Sequence, residues 1–397
     1  MPSSATIDAL VSRIEPELIA VRRTIHQHPE LAFEEHETSK LVAARLRALG
    51  LDVQTGIGRT GVVAVVEGSR PGPTIGVRAD MDALPIEEAS GVPFASRIPG
   101  RMHACGHDAH TAIALGVAHV FTAMRGNLPG RVKLIFQPAE ETLSGAPAMI
   151  ADGVLEGPAM DAIIGFHNWP AVDTGFVGYY PAEVMASSDA FDIVLRGKAG
   201  HAAHPHTGID ALVGAAQLVT QLQTIVSREV APAIPAVLTI GQFEAGTVRN
   251  VIPAKAVLKG TVRTLDPAAS GQIEAAVRRI TAGVCATLRL EHDIQWVRQT
   301  PVLRNDAAVL ATVLDSVRET IGSDRIVDLG RPTMGSEDFA WFAERVPAAH
   351  LRFGSRIEGL ATAVHHANYD CNEATIGFGV RTIAHAVLRL LDREQPA

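Results

Sequence analysis

The chain has 397 residues, of which 47% are hydrophobic and 20% charged, and its formal net charge at pH 7 is −8 with histidine neutral. This composition is typical of a folded globular protein and excludes intrinsic disorder as the main state. A net negative charge without a long Lys/Arg run argues against a nucleic-acid partner. Three cysteines cannot build a disulfide framework, whereas 16 histidines are unexpectedly many.

Signals for secretion or membrane insertion are not evident in the sequence. The first 17 residues are polar and lack a basic start followed by an apolar core. No run of about eighteen uncharged apolar residues occurs, so no membrane-spanning helix is predicted. We therefore expect a cytoplasmic protein with no membrane partner.

The first half of the chain alternates between predicted helices and short apolar strands. Apolar residues recur every three or four positions in the helices, and the β-branched strand segments are bounded by Gly or Pro. The predicted helices span residues 7–26, 37–49 and 111–124, and the predicted strands span residues 62–66, 74–77, 132–136 and 162–166. This alternation predicts an α/β sheet.

A different pattern begins after the Tyr180-Pro181 pair. It reads strand, helix, strand, strand, helix, strand, at residues 191–195, 209–225, 236–243, 256–263, 271–288 and 294–297. This is the ferredoxin-like order of elements. We expect a small domain, residues 183–299, inserted into a larger one formed by residues 1–182 and 300–397.

Polar residues follow the strands of the large domain, where functional sites form at the carboxyl ends of α/β sheets. Asp80 and Asp82 follow one strand, the Glu140-Glu141 pair follows the next, and His167 follows a third. Of the two glutamates, one can bind a cation and the other can take a proton from a bound water. The alternative is an exposed acidic turn.

The richest segment spans residues 103–110 and contains Cys105, His107 and Asp108 just before an apolar helix. A helix N-terminus favours the thiolate form of a cysteine, and thiolate and imidazole are the usual ligands of zinc-like ions. Two alternatives are a solvated helix cap with a buried cysteine and a Cys/His catalytic dyad.

Five motifs occur in one order along the chain: Arg78-Ala-Asp-Met-Asp-Ala-Leu-Pro85, His103-Ala-Cys-Gly-His-Asp-Ala-His-Thr111, Phe136-Gln-Pro-Ala-Glu-Glu141, Gly165-Phe-His-Asn-Trp-Pro170 and Gly200-His-Ala-Ala-His-Pro-His206. From about Arg22 onward the chain resembles the metallo-amidohydrolases that include hippurate hydrolase, N-acyl-amino-acid amidohydrolase (aminoacylase) and auxin-conjugate hydrolases. The resemblance implies a zinc-exopeptidase-like catalytic domain with an inserted ferredoxin-like α+β dimerisation, or lid, domain.

The resemblance also implies a site with two divalent metal ions, zinc first and manganese, cobalt or nickel as alternatives. Its implied ligands are Cys105, His107, Glu141, His167 and His365. His366 remains an alternative to His365, because Ala367 and Cys371 replace the Pro and Phe of the family's terminal motif.

The remaining roles implied by the resemblance concern proton transfer, ligand orientation and substrate binding. Glu140 would be the general base and acid, and His201 would donate a hydrogen bond to the scissile carbonyl oxygen, usually in the active site of the other subunit of a homodimer. Asn250 would bind substrate. The carboxylates expected to orient ligands are Asp80, Asp82 and Asp108. Asp338 is equally a candidate helix cap and a site residue.

The sequence thus predicts a hydrolase that cleaves the amide bond of N-acyl amino acids. A dipeptidase or carboxypeptidase could use the same site. A third alternative is a metal-binding or substrate-binding protein without catalytic activity, which the presence of Glu140, His201 and the ligand set disfavours.

Overall fold

The structure is a computed structural model that describes residues 4–360 and 363–392, and it shows the predicted α/β class. Within these ranges the helices are α1 (Ser4–Gln27), α2 (His36–Ala48), α3 (His107–Met124), α4 (Gly145–Ala151), α5 (Ala211–Thr224), α6 (Pro267–Leu288), α7 (Ala307–Ile321), α8 (Ala340–Ala343) and α9 (Ala374–Leu391).

The strands in the same ranges are β1 (Val53–Ile57), β2 (Gly61–Glu67), β3 (Arg70–Asp80), β4 (Pro129–Gln137), β5 (Ala162–Trp169), β6 (Val177–Tyr179), β7 (Glu183–Met185), β8 (Ser187–Arg196), β9 (Gly200–His201), β10 (Ala236–Ala245), β11 (Val251–Ile252), β12 (Lys255–Thr264), β13 (Glu291–Thr300), β14 (Leu303–Arg304), β15 (Ile326–Asp328) and β16 (Ala348–Gly354).

The chain divides into two compact units. The first comprises residues 1–184, 304–332 and 337–397, and the second comprises residues 185–303 and 333–336. The second unit therefore includes a short segment, Thr333–Ser336, that lies outside the continuous insertion expected from the sequence.

An eight-stranded mixed sheet forms the centre of the first unit, in the order β1-β2-β4-β3-β5-β16-β6-β15. The four central strands β4, β3, β5 and β16 run parallel, so their carboxyl ends meet at one edge. β1 and β2 add to this core in antiparallel fashion. The apolar, β-branched runs recognised in the sequence are the buried parts of these strands, as expected for a sheet covered by helices.

Helices α1, α3, α7 and α9 pack against one another and share one apolar core with the sheet. α3 is buried along almost its whole length, which explains its uniformly apolar sequence. Among the described residues, α9 alone is long and apolar enough to cross a membrane, but 72% of it is buried inside the protein. That burial is the position of a core helix.

The second unit has the β-α-β-β-α-β order predicted from the sequence, in β8, α5, β10, β12, α6 and β13. Its sheet is antiparallel, in the order β10-β12-β8-β13, and α5 and α6 pack on it around a separate apolar core. Asp210 and Asp266 begin the two helices as N-caps: the Asp210 side chain accepts from two backbone amides of the first turn and the Asp266 side chain from one. A dimerisation or lid role for this unit stays a prediction.

Candidate metal centre

The start of α3 is built around Gly106, which separates Cys105 from His107. Gly106 has φ +84°, and a Cβ at this position would lie 2.0 Å from Nδ2 of Asn168. Only glycine meets both requirements, since the left-handed region is disfavoured for other residues. The helix therefore begins at His107, four residues before the predicted start, and holds Cys105 and His107 at its N-terminus.

Cys105, His107 and His167 form one candidate ligand group, with ligand atoms all within 4.8 Å of one another. His167 lies near the end of β5, and its Nε2 is 3.2 Å from Sγ of Cys105. The Nδ1–H of His167 donates to the Asn168 carbonyl at 2.6 Å. That hydrogen bond leaves Nε2 as the nitrogen directed at Cys105.

A second candidate group combines Cys105 with Glu141 and His365. Oε2 of Glu141 lies 3.3 Å from Nε2 of His365, whose side chain is 51% exposed. The neighbouring His366 belongs to no candidate group within residues 4–360 and 363–392, and its Nδ1 accepts from the Asn368 amide. Cys105 is thus common to two groups, each of which could hold one cation.

Two buried atoms at this centre lack a hydrogen-bond partner in the described part of the chain: Nε2 of His107 and Oε1 of Glu141, which lie 3.9 Å apart. Asp82 accounts for both orientations, because its carbonyl accepts from Nδ1–H of His107 at 2.9 Å and its Oδ2 accepts from the Glu141 amide at 3.0 Å. Buried polar atoms without partners are costly unless a ligand satisfies them. One thiol, imidazoles and a carboxylate suit a zinc-like divalent cation.

The other two carboxylates expected to orient ligands behave differently. Asp80 accepts from Nδ1–H of His110 and from Arg78, both at 2.6 Å, and lies 3.8 Å from Nε2 of His107. It therefore orients His110 rather than one of the five implied ligands.

The expectation for Asp108 is wrong. Its Oδ2 accepts from Arg22 and from His26, both at 2.8 Å, and among the described residues it has no hydrogen bond to an implied ligand. Burial disfavours its charged form, but Arg22 and His26 hold the pKa of Asp108 well below its usual value. The segment turns at Gly106, so the side chain after His107 points into the packing between α3 and α1.

Glu140, the expected base, is buried beside the ligand groups, with Oε2 4.0 Å from Nε2 of His107. Burial, followed by the negative charges of Glu337 and Glu141, raises the pKa of Glu140 well above its usual value. Cys105 shows the same effect: burial and the carboxylates of Glu141 and Glu140 raise the pKa of its thiol, so the expected bias of the helix terminus toward thiolate does not prevail. A bound cation would offset this crowding of negative charge.

A buried network behind Glu140 was not foreseen. Arg78 donates to Asp80, Glu337 and Asp338, all at 2.9 Å or less. Asp338 also accepts from Gln137 and from the Ala146 amide, so it is not the cap of α8, which starts two residues later. The sequence signal is Arg78 itself, because a charged residue that directly follows a buried apolar run needs buried partners.

His201 and Asn250 lie in the second unit, both exposed, on the paired strands β9 and β11 or beside them. Nδ1 of His201 accepts from the Ala203 amide, and the Asn250 carbonyl accepts from the Ala202 amide, each at 3.1 Å. The structure thus keeps these two residues next to each other, and their roles stay predictions.

An α/β fold that collects thiol, imidazole and carboxylate groups around a buried glutamate is typical of a metallohydrolase. A model of peptidase family M20/M25/M40 matches residues 76–389. The chain is 40% identical to the N-acetyl-L-cysteine deacetylase of Bacillus subtilis, over 97% of this chain and 91% of the relative. It is 37% identical to thermostable carboxypeptidase 2 of Saccharolobus solfataricus, over 96% of each.

A solved structure from Bacillus subtilis, described as a dinuclear metal binding peptidase from the M20 family, matches with a TM-score of 0.83 and 34% identity, covering 96% of this chain and 99% of that one. The chain therefore belongs to peptidase family M20/M25/M40. It is a metal-dependent amide hydrolase, as the resemblance implied.

Proposed function

We propose that this protein hydrolyses N-acyl amino acids, hippurate-like or N-acetylated, to a carboxylic acid and a free amino acid. One observation supports this most strongly. The ligand groups that share Cys105 lie beside the buried Glu140 in a chain 40% identical to a deacetylase of an N-acetylated amino acid.

The residues proposed to hold two divalent cations are Cys105, His107, Glu141, His167 and His365. When bound, such cations acidify a water and polarise a carbonyl oxygen. We propose zinc, because a thiolate with imidazoles suits it, and manganese, cobalt or nickel are alternatives.

Glu140 is proposed to take a proton from the attacking water and to return it to the nitrogen of the leaving amine. His201 is proposed to donate a hydrogen bond to the carbonyl oxygen as negative charge develops there, and Asn250 to bind substrate. Asp82 keeps Nδ1 of His107 protonated, so that Nε2 remains a lone-pair donor. No covalent intermediate with the protein is required.

A peptidase activity is the second candidate, because the chain is also 37% identical to a carboxypeptidase over 96% of its length. Both reactions break an amide bond next to an amino acid with a free carboxylate. They differ in the group on the other side, a simple acyl group or an aminoacyl residue.

The test compares turnover on N-acetyl and N-benzoyl amino acids with turnover on free dipeptides, using metal-reconstituted enzyme. We expect the acylated amino acids to be hydrolysed faster. Glu140→Ala should keep its metal content and lose about 10²-fold or more of kcat, which also rules out a contaminating enzyme. Faster hydrolysis of dipeptides would replace the first candidate with the second, and an active Glu140→Ala variant would overturn the assigned base.

A homodimer and a cytoplasmic location are further proposals. The first rests on the family pattern for His201, and the second on three cysteines that build no disulfide framework. Light scattering of the purified chain and fractionation of the source cells test them.

A further inference from the structure

Glu35 is a fully buried acid with no role in the chemistry described above. It directly precedes α2, in the position where a side chain would cap the helix, yet its side chain makes no capping hydrogen bond. The carboxylate turns instead toward a segment 104 positions further along the chain. A structural role as a helix cap therefore does not explain it.

The Glu35 carboxylate is held by three hydrogen bonds. Oε1 accepts from the backbone amides of Ala139 and Phe33, at 2.9 and 3.0 Å, and Oε2 accepts from the Thr60 hydroxyl at 2.5 Å. Such saturation fixes the position of a buried acid closely. In the described residues Glu35 has no hydrogen bond to an implied metal ligand, so its hydrogen-bonded contact with the site runs through its partners.

Ala139 is the partner that matters, because it directly precedes Glu140. Its φ is +52°, in the left-handed region that is disfavoured for a residue with a Cβ by about 1–2 kcal/mol. A conformation of this kind persists only where surrounding contacts enforce it. The hydrogen bond from the Ala139 amide to Glu35 is such a contact, and it sets the direction in which the chain enters Glu140.

Two other buried carboxylates accept hydrogen bonds from later backbone amides of the same segment, residues 139–146, which is called the turn below. Oδ2 of Asp82 accepts from Glu141, and Oδ2 of Asp338 accepts from Ala146. The turn is thus held at its start, middle and end by carboxylates from three distant parts of the chain. Glu35 holds the residue directly before Glu140, and Asp82 holds the residue directly after it.

We propose that Glu35 is a positioning residue that keeps Glu140 aligned for proton transfer through the backbone of Ala139. The inference rests on the proposed role of Glu140 as base. It predicts that the acceptor oxygen of Glu35, rather than its charge, is what the reaction needs.

The experiment compares Glu35→Ala with Glu35→Gln, with Glu34→Ala as matched control, since the Glu34 side chain is 54% exposed. Glu35→Ala should lower kcat by about 10²-fold, the loss typical of a misaligned catalytic group, while KM and bound metal stay close to wild type. Glu35→Gln should recover most of kcat, because an amide oxygen still accepts from Ala139. Hydrogen exchange of a peptide covering residues 137–146 should rise in Glu35→Ala and stay unchanged in Glu34→Ala.

Three outcomes would overturn the proposal: unchanged kcat in Glu35→Ala, a loss that follows the loss of metal, or an equal loss in Glu35→Gln. If Glu35→Ala does not fold, Thr60→Val takes its place and should lower kcat less, in the same direction. Hydrogen exchange needs no substrate. If hydrogen exchange rises in Glu35→Ala but the Glu140→Ala enzyme remains active, the assigned base is refuted. If hydrogen exchange in Glu35→Ala is unchanged, the role of Glu35 is refuted.

Discussion

Cys105 contributes its sulfur to two of the candidate ligand groups found among the described residues, one with His107 and His167 and one with Glu141 and His365. In the protein without a cation, burial and neighbouring carboxylates raise the pKa of this thiol. A divalent cation reverses that preference, since a coordinating thiol loses its proton. Binding of metal should therefore release a proton at neutral pH.

Replacing Cys105 with alanine removes one ligand from each group. We expect bound metal, measured by elemental analysis of dialysed protein, to fall clearly below the wild-type amount. Cys285→Ala is the control, because Cys285 is buried in the core of the second unit. Unchanged metal in Cys105→Ala would contradict the thiolate ligand.

His26 affects the stability of the fold rather than the proposed reaction. Burial favours its neutral form, but hydrogen bonds and charge from Asp108, with a further contact to Glu88, outweigh burial and raise the pKa of His26 to about 9. A histidine with a raised folded-state pKa stabilises the fold fully below its unfolded pKa of about 6.5. That contribution disappears as pH rises through about 9.

As the pH rises from about 6.5 to about 9, the free energy of unfolding of the wild type should therefore decrease by up to about 3 kcal/mol. The decrease is measured as a lower denaturant concentration at the unfolding midpoint. His26→Gln should flatten this part of the curve, whereas His28→Gln, at an exposed neighbour, should leave it unchanged. Parallel curves for wild type and His26→Gln would exclude His26 as the source.

At the scale of elements, the start of α3 decides the geometry of two implied ligands. Gly106 adopts a left-handed φ and leaves no space for a Cβ beside the amide of Asn168. The side-chain Nδ2 of Asn168 donates to the Cys105 carbonyl at 2.8 Å, and its Oδ1 accepts from the Tyr369 hydroxyl. These hydrogen bonds connect the start of the helix to β5 and to the C-terminal segment.

Gly106→Ala should shift Cys105 and His107 and lower both bound metal and activity by an order of magnitude or more. The cost combines an unfavourable φ, about 1–2 kcal/mol, with a clash against Asn168. Gly126→Ala, two residues beyond the C-terminal end of the same helix, meets nothing within 4 Å and should behave as wild type. Equal metal content in both variants would show that the helix start tolerates a side chain.

At the scale of the whole molecule, two separate apolar cores support two units. The implied ligands and the base all belong to the first, and removal of metal leaves Cys105, Glu140 and Glu141 crowded in a buried space. A ligand that binds only the folded state stabilises it by RT ln(1 + [L]/Kd), so removing the ligand destabilises the fold by that amount. The effect should concentrate in the first unit.

Chelation should thus lower the thermal midpoint and raise hydrogen exchange in peptides covering α3 and the turn at residues 139–146. Peptides from α5 and α6, in the core of the second unit, serve as the internal control. Adding back a divalent cation should restore protection. Equal changes in both units, or none in α3, would contradict a metal centre confined to the first unit.

Local pattern was enough to predict most secondary-structure elements. Apolar periodicity and glycine or proline boundaries report short-range preferences that packing did not override, so β3, β4, β5 and the six elements of the second unit appear where expected. The donors Cys105, His107, Glu141, His167 and His365 were implied by motifs that resemble those of a known family. Which of these residues would share one cation could not be predicted from the sequence.

Contacts between distant positions escaped prediction, because side-chain pairing across the chain has no local signature. Arg22 reaches Glu373 across 351 positions, Asp108 pairs with Arg22 instead of a ligand, and Glu35 meets Ala139 across 104. Gly106 adopts a left-handed conformation, so α3 starts at His107 instead of at the predicted residue 111. The side chains on either side of Gly106 are oriented accordingly. The sequence motifs thus implied the donors in advance, whereas the orientation of those side chains depends on buried partners that only folding brings together.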